Sequence, residues 1–259
     1  MPQFAANLTF LFTEVPFLER FERAARAGFT AVEFLFPYAW PVAEIKARLE
    51  ACGLQLVLHN LPGGHWEAGE RGLACHPGRF EEFRAGVSLG IRHAQALGVR
   101  QLNCLAGIAP AGVGDALLHQ TLLDNLRYCA AEFKAAGLNL LLEPINSHDM
   151  PGFYVNRTAQ AVAILDAVGA DNAYVQYDIY HAQRMEGELA ATLQRYLPRI
   201  GHMQLGDNPG RHEPGTGEIN FPFLFRHLDR IGYTGWIGCE YHPASQTEAG
   251  LGWMQALNG

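Results

Sequence analysis

No stretch of the sequence holds the roughly 18 to 20 consecutive apolar residues that a membrane span requires, so no membrane partner is expected. Cations are in short supply: 19 lysines and arginines stand against 26 aspartates and glutamates, a formal net charge of −7. Binding to a nucleic-acid backbone draws on clustered Lys and Arg, and this balance speaks against it. A small anion held by one local cation is still accommodated. Cysteine is sparse, with Cys52, Cys75, Cys104, Cys129 and Cys239 far apart and no C-x-x-C. An odd set scattered through apolar segments points to reduced, buried thiols and a cytoplasmic setting. No composition shift, low-complexity tract or long Pro/Ser linker interrupts the chain, so residues 1–259 read as one domain. The opening MPQFAANLTFLFTEVPF lacks a basic n-region and a small-residue cleavage site, and reads as a first strand.

What the sequence does have is alternation. Strands are expected near Gln3–Phe10, Ala31–Phe36, Leu54–Asn60, Arg100–Gly107, Gly137–Asn146, Ala173–Asp178, Gly201–Asp207 and Gly235–Tyr241. Helices are expected between them: from Pro16 to Ala27, then Val42–Ala51, Phe80–Leu97, Asp115–Ala136, Thr158–Val168 with a cap at Asn156 or Thr158, Gly187–Tyr196 and Phe221–Ile231. Ser245–Gly259 leaves room for a short closing helix. Repeated strand–helix units imply a parallel sheet, and eight of them predict an α/β (β/α)8 TIM barrel, a fold of about 250 residues. An open doubly wound sheet is the alternative, but no Gly-rich dinucleotide turn follows the first strand. The loop Leu61–Gly78, rich in Gly, His and Trp, is too long for a plain connection and is expected to cover an active site.

Four apolar runs carry an oxygen-bearing side chain at or near their ends. GLNLLLEPIN places Glu143 after three leucines, with Pro144 forbidding continuation of the strand. AYVQYD ends on Asp178, IGHMQLGD carries Gln204 and GWIGCE ends on Glu240. Continuous apolar runs fit strands covered on both faces, and a buried charge at such a strand end is costly unless paired, hydrogen-bonded or bound to a metal. The four occupy the same place in strands five to eight, so a closed barrel gathers them at its C-terminal face, where barrel active sites sit. Three carboxylates and an amide oxygen form a hard set suited to one divalent ion, Mg2+ or Mn2+, over zinc. Without it their pKa values should rise.

Other residues are candidates for holding substrate. His59 ends strand three, and His181 follows Asp178 by three residues. Arg211, in the loop after strand seven, suits a bidentate contact to a substrate carboxylate. His65, beside Trp66 in the long loop, could close over the site and exclude water; His148 lies after strand five. A packed structural histidine or a solvated loop arginine is the plainer reading of each.

The segments LLLEPIN, VQYDIYH, GHMQLGDNPGRHEPGTGEINF and GCEYHP resemble the hydroxypyruvate isomerase family, within the xylose isomerase-like barrel superfamily. The resemblance covers essentially the whole chain, including the PGGHWEAGERGLA loop. It implies that Glu143, Asp178, Gln204 and Glu240 bind a divalent metal and that Glu143 and Glu240 are the proton donor and acceptor. The implied reaction interconverts hydroxypyruvate and tartronate semialdehyde by moving a proton between adjacent carbons through an enediolate. In the ketose epimerase branch the third ligand position is usually histidine, and Gln204 departs from that pattern. A related isomerase or epimerase acting on a 2-oxo-tetronate or a ketose is the alternative, and assembly into a homo-oligomer is left open. Two other classes fit less well. Metal-dependent cleavage of damaged DNA on such a barrel would bring more strand-end histidines and a basic surface, and a non-catalytic binding barrel would not need both glutamates.

Overall fold

The computed structural model describes residues 2–256; Met1 and residues 257–259, the ends of the expected domain and of the expected closing helix, lie outside the described residues. Eight parallel strands pair in sequence order and close into a barrel: β1 Gln3–Asn7, β2 Ala31–Glu33, β3 Gln55–Asn60, β4 Gln101–Asn103, β5 Asn139–Leu142, β6 Ala173–Asp178, β7 Ile200–Leu205 and β8 Trp236–Cys239. Around it run α1 Phe17–Arg26, α2 Val42–Cys52, α3 Phe80–Leu97, α4 Asp115–Ala135, α5 Thr158–Val168, α6 Ile179–Met185, α7 Leu189–Tyr196, α8 Phe221–Ile231 and α9 Gly252–Ala256. Among the described residues no helix is long and apolar enough to cross a membrane.

Several strands stop short of their apolar runs. β1 ends at Asn7 and β2 at Glu33, yet Leu8, Leu11 and Phe34 beyond them stay buried against the helical layer. Hydrophobicity marks burial, and burial continues past the last ladder hydrogen bond. Helix α6 has no counterpart in the expected elements. Asp178 both ends β6 and caps α6, its Oδ1 accepting the Tyr180 N–H at 2.8 Å. Helix α5 has no side-chain cap from Asn156 or Thr158; the Thr158 N–H donates instead to Glu186 Oε1 at 2.7 Å.

The two faces of the sheet differ sharply. Outward-facing residues pack under the helices, as where Phe17 meets both Phe21 and Phe34 edge-on at centroid distances of 5.4 Å. Facing inward is a small apolar plug of Ala5, Ala31 and Val57, with Trp236 against it. Nearer the C-terminal ends come buried Asn7, Glu33, Asn103, Gln176, His202 and Gln204. Barrel interiors of this class are normally dominated by branched apolar side chains.

Two register shifts decide which side chains enter. β2 and β3 pair Val32 with Leu56 and then Glu33 with Leu58, leaving Val57 as an extra residue. The shift turns His59 outward, where it pairs with Leu102 and its ring meets Tyr38 at 6.0 Å, which in turn meets His93 of α3 at 4.9 Å. Between β6 and β7 the register shifts after Val175, and Gln176, Asp178, His202 and Gln204 then align on the inner face.

The long loop is pinned to the barrel. Gly72 bridges Ala106 in antiparallel fashion and its N–H donates to Gly63 O at 2.9 Å. Glu70 pairs with Arg79, and Trp66 packs on Phe36 at 4.8 Å. Gly72 adopts φ 118°, and a Cβ there would fall 2.4 Å from Leu105 O, so a side chain meets both backbone strain and a collision with main chain. Gly72→Ala is expected to release the loop: limited proteolysis should cut within residues 61–79 faster than in wild type. An unchanged cleavage rate would show that the bridge does not hold the loop.

Candidate metal and proton-transfer site

Glu143, directly after β5, is buried, and its Oε2 accepts from Asn103 Nδ2 at 2.7 Å. Asp178 offers Oδ2 on the opposite side from its capping oxygen, 3.2 Å from an Nη2 of Arg211. The same Nη2 donates to Glu240 Oε1 at 2.6 Å. Glu240 Oε2 accepts from Gln204 Nε2 at 2.6 Å and Asn7 Nδ2 at 3.0 Å. The Arg211 guanidinium lies between the rings of Phe10 and Tyr180, at 5.1 and 5.0 Å from their centroids. Its Nε is buried without a partner, and its backbone takes the left-handed φ of 52°, a strained conformation for arginine.

Three carboxylates thus share one guanidinium. Burial, followed by the charges of Glu240 and Asp178, pushes the Glu143 carboxyl well above its ordinary range. Burial raises Asp178 as well, against the lowering influence of Arg211 and the Tyr180 N–H. Glu240 is pushed up to about 8, by burial first, with Arg211 opposing and Asp178 and Glu33 adding repulsion. A site so short of positive charge fits a divalent ion.

Glu143, Asp178 and His181 each offer an atom within 4.8 Å of the others. His181 Nε2 lies 3.8 Å from Glu143 Oε1 and 3.6 Å from Asp178 Oδ2. Its tautomer follows from Asn146. The Oδ1 of Asn146 accepts the N–H groups of His148 and Asp149 at 3.1 and 2.9 Å, which leaves Nδ2 to face His181 Nδ1 at 2.7 Å. His181 Nδ1 is therefore the acceptor and Nε2 carries the hydrogen. Burial holds the ring pKa well below its usual value, so it stays neutral. An imidazole presenting N–H toward the carboxylates is a hydrogen-bond donor and has no lone pair there for a metal. The donor set is then the carboxylates. Gln204 faces them with Nε2, while its Oε1 accepts from Gln176 Nε2 at 2.6 Å; it presents oxygen only if the terminal amide turns over.

Glu143, Asp178, Gln204, Glu240, His181 and Arg211 are brought together. His59 is not: it faces α3, and burial pushes its pKa down to about 4. His65 is not either; its side chain is exposed in the loop and its backbone N–H donates to Glu70. His148 uses its N–H to orient Asn146. Sequence reasoning missed Asn7, Glu33, Asn103, Asn146, Gln176 and His202. The available signal was a polar residue on the inward parity of an otherwise apolar strand, as in AVE, QLN and AYVQYD.

A closed eight-stranded barrel with buried acids at the C-terminal ends of its strands defines the class of (β/α)8-barrel proteins with a site on that face, and the family model described as Xylose isomerase-like TIM barrel matches residues 21–257. The chain is 53% identical over 254 residues to the hydroxypyruvate isomerase of Escherichia coli K12, covering 98% of each. It is 48% identical over 259 residues to a 2-oxo-tetronate isomerase of Cupriavidus necator, covering 100% of each. A crystal structure of a Brucella melitensis protein described as AP endonuclease, family 2 superposes with a TM-score of 0.97 at 44% identity, covering 99% of both chains. The chain belongs to the hydroxypyruvate isomerase family of xylose isomerase-like TIM barrels.

The raised Glu240 pKa has a consequence for stability. Between the ordinary glutamate range and about 8 the folded state holds a proton here that the unfolded state has lost, so this group's contribution to stability falls as pH rises through that window. Urea unfolding of chelator-treated protein should show that decline, and Glu240→Gln should flatten it. Added Mn2+ should restore stability at the alkaline end; a slope identical in wild type and variant would refute the assignment.

Proposed function

We propose that the protein is a hydroxypyruvate isomerase, interconverting hydroxypyruvate and tartronate semialdehyde in the cytoplasm, with one Mg2+ or Mn2+ held by Glu143, Asp178 and Glu240, and with Gln204, expected from the sequence as a fourth ligand, orienting Glu240 through an Nε2 hydrogen instead. The observation that carries this reading is the pair Glu143 and Glu240, two buried carboxyls at the ends of β5 and β8, joined by one acid, one oriented imidazole and one buried guanidinium. Moving a carbon-bound proton to the neighbouring carbon needs a base, an acid and stabilisation of the enediolate between them.

Each group has a part. One of Glu143 and Glu240 takes the proton from the hydroxymethyl carbon, and the other supplies a proton to the adjacent carbon as the carbonyl moves. The hydroxyl proton passes from the C3 oxygen to the C2 oxygen, while His181 hydrogen-bonds through its Nε2–H to the oxygen on which charge develops and keeps that proton. Arg211, with an Nε that no protein group satisfies, receives the substrate carboxylate, and its placement between Phe10 and Tyr180 fixes the plane of that contact. When bound, the ion polarises the substrate's carbonyl and hydroxyl oxygens and favours loss of the C–H proton. The relatives favour one further reading, a 2-oxo-tetronate isomerase using the same residues, since the C. necator enzyme of that name matches over the full chain.

A substrate panel separates the two: catalytic efficiency should be highest on hydroxypyruvate, and a marked preference for the four-carbon acid would replace this reading with the second. Chelation should abolish turnover and Mg2+ or Mn2+ restore it. In heavy water the product carbon should acquire deuterium, whereas full retention of substrate hydrogen would exclude proton transfer through these acids. Glu143→Gln and Glu240→Gln should each lower kcat by about 100 to 10,000-fold; near wild-type turnover in either would remove that residue from the mechanism.

A further inference from the structure

Beneath the site lies a fourth buried carboxylate that the mechanism above does not use. Glu33 closes β2 and points into the barrel, fully buried. Its Oε1 accepts from Asn7 Nδ2 at 2.9 Å and from Gln204 Nε2 at 2.7 Å. Its Oε2 lies 2.6 Å from His202 Nε2. A carboxylate only accepts, so that nitrogen bears the hydrogen, and His202 Nδ1 is left buried without a partner. The amides that reach Glu33 are the two that reach Glu240 Oε2, at 3.0 Å from Asn7 and 2.6 Å from Gln204. Each NH2 group therefore spans two carboxylates, one hydrogen to each.

We propose that Glu33, anchored by His202, is a positioning residue that fixes the Glu240 carboxylate through the shared amides of Asn7 and Gln204. Each amide is planar and its oxygen is held as well, Asn7 Oδ1 by the Thr9 N–H at 3.0 Å and Gln204 Oε1 by Gln176 Nε2 at 2.6 Å, so Glu33 supplies the remaining fixed point that sets the plane of each NH2 group. Glu33 thus determines where Asn7 and Gln204 aim at Glu240, and they leave Glu240 Oε1 as the oxygen facing Arg211 and the reaction space. The barrel is built around this acid. A Cβ on Gly238, the inward residue of β8 two positions before Glu240, would lie 2.1 Å from Glu33 Oε1, so only glycine leaves the carboxylate its room. The extra residue in β3 sets the pairing of Glu33 with Leu58.

The proposal rests on the reading of Glu240 as a proton-transfer group, and the test separates the two. Glu33→Leu removes the acceptor that both amides share; Asn7→Leu breaks the bridge from the other side. In crystals of the Mn2+-loaded variants the Glu240 carboxylate should leave its wild-type rotamer. Turnover of hydroxypyruvate should lose about 10- to 100-fold in kcat, the scale on which small misplacements of a reacting group act, with KM changed less than about twofold. Glu240 in its wild-type position in both variants overturns the proposal, whatever happens to rate, and so does loss of folding in both, which would assign Glu33 to stability alone. Wild-type protein inactive on hydroxypyruvate would sink the functional reading, while the crystallographic comparison would still decide the part played by Glu33.

Discussion

The site depends on an imbalance of charge held out of water. Glu143, Asp178 and Glu240 occupy one buried space with a single guanidinium among them, and in such a space like charges cannot all ionise without a compensating cation. The guanidinium meets part of the need, reaching Asp178 and Glu240 through one nitrogen. What is left over is what a divalent ion supplies. In the proposed function, metal binding and acid–base chemistry draw on the same property that raises the carboxyl pKa values, the placing of acids at the ends of apolar strands.

A polar barrel interior is costly, and the fold meets that cost by segregation. The outward sheet face and the helices form one continuous apolar core, running from Leu8 and Phe21 round to Leu228 and Tyr241, which stabilises the chain without help from the barrel lumen. Inside, a short plug of alanine, valine and tryptophan seals the bottom. Above it each polar group is tied to a neighbour: Asn103 to Glu143, Gln176 to Gln204, His202 to Glu33. Asn103 Oδ1, Gln176 Oε1 and His202 Nδ1 have no partner, yet the contacts that are made hold their members in place, because turning one strands another in a medium that offers no substitute. Rigidity in the lumen is what allows the acids above it to be held in fixed relation.

The fold was legible because alternation of strand and helix over the full length admits few architectures, and Glu143, Asp178, Gln204 and Glu240 were legible because each stands at or near the end of an apolar run. The limits were also physical. Glu33 sits in AVEF, a stretch whose apolar neighbours hide an inward acid, and its strand ends three residues earlier than the run suggests. His59 has the right position in sequence and the wrong face, since one extra residue in β3 reverses parity beyond it and no local pattern announces a bulge. Asn146 looked like the tail of a strand; its part in orienting His181 arises from a loop that folds back, a contact 35 positions away in the chain.

Glutamine at position 204 is informative because of what its side chain uses. Its two N–H hydrogens go to Glu33 and Glu240 and its oxygen accepts from Gln176, three partners on three sides. A neutral imidazole has one donor and one acceptor in a single plane. Placed here it would serve one of the two carboxylates and leave the other to Asn7 alone. It would also need its acceptor nitrogen for Gln176, leaving no lone pair for an ion. A lumen that couples Glu33 to Glu240 through this position therefore selects an amide, and a barrel with histidine there must hold its last acid by other means.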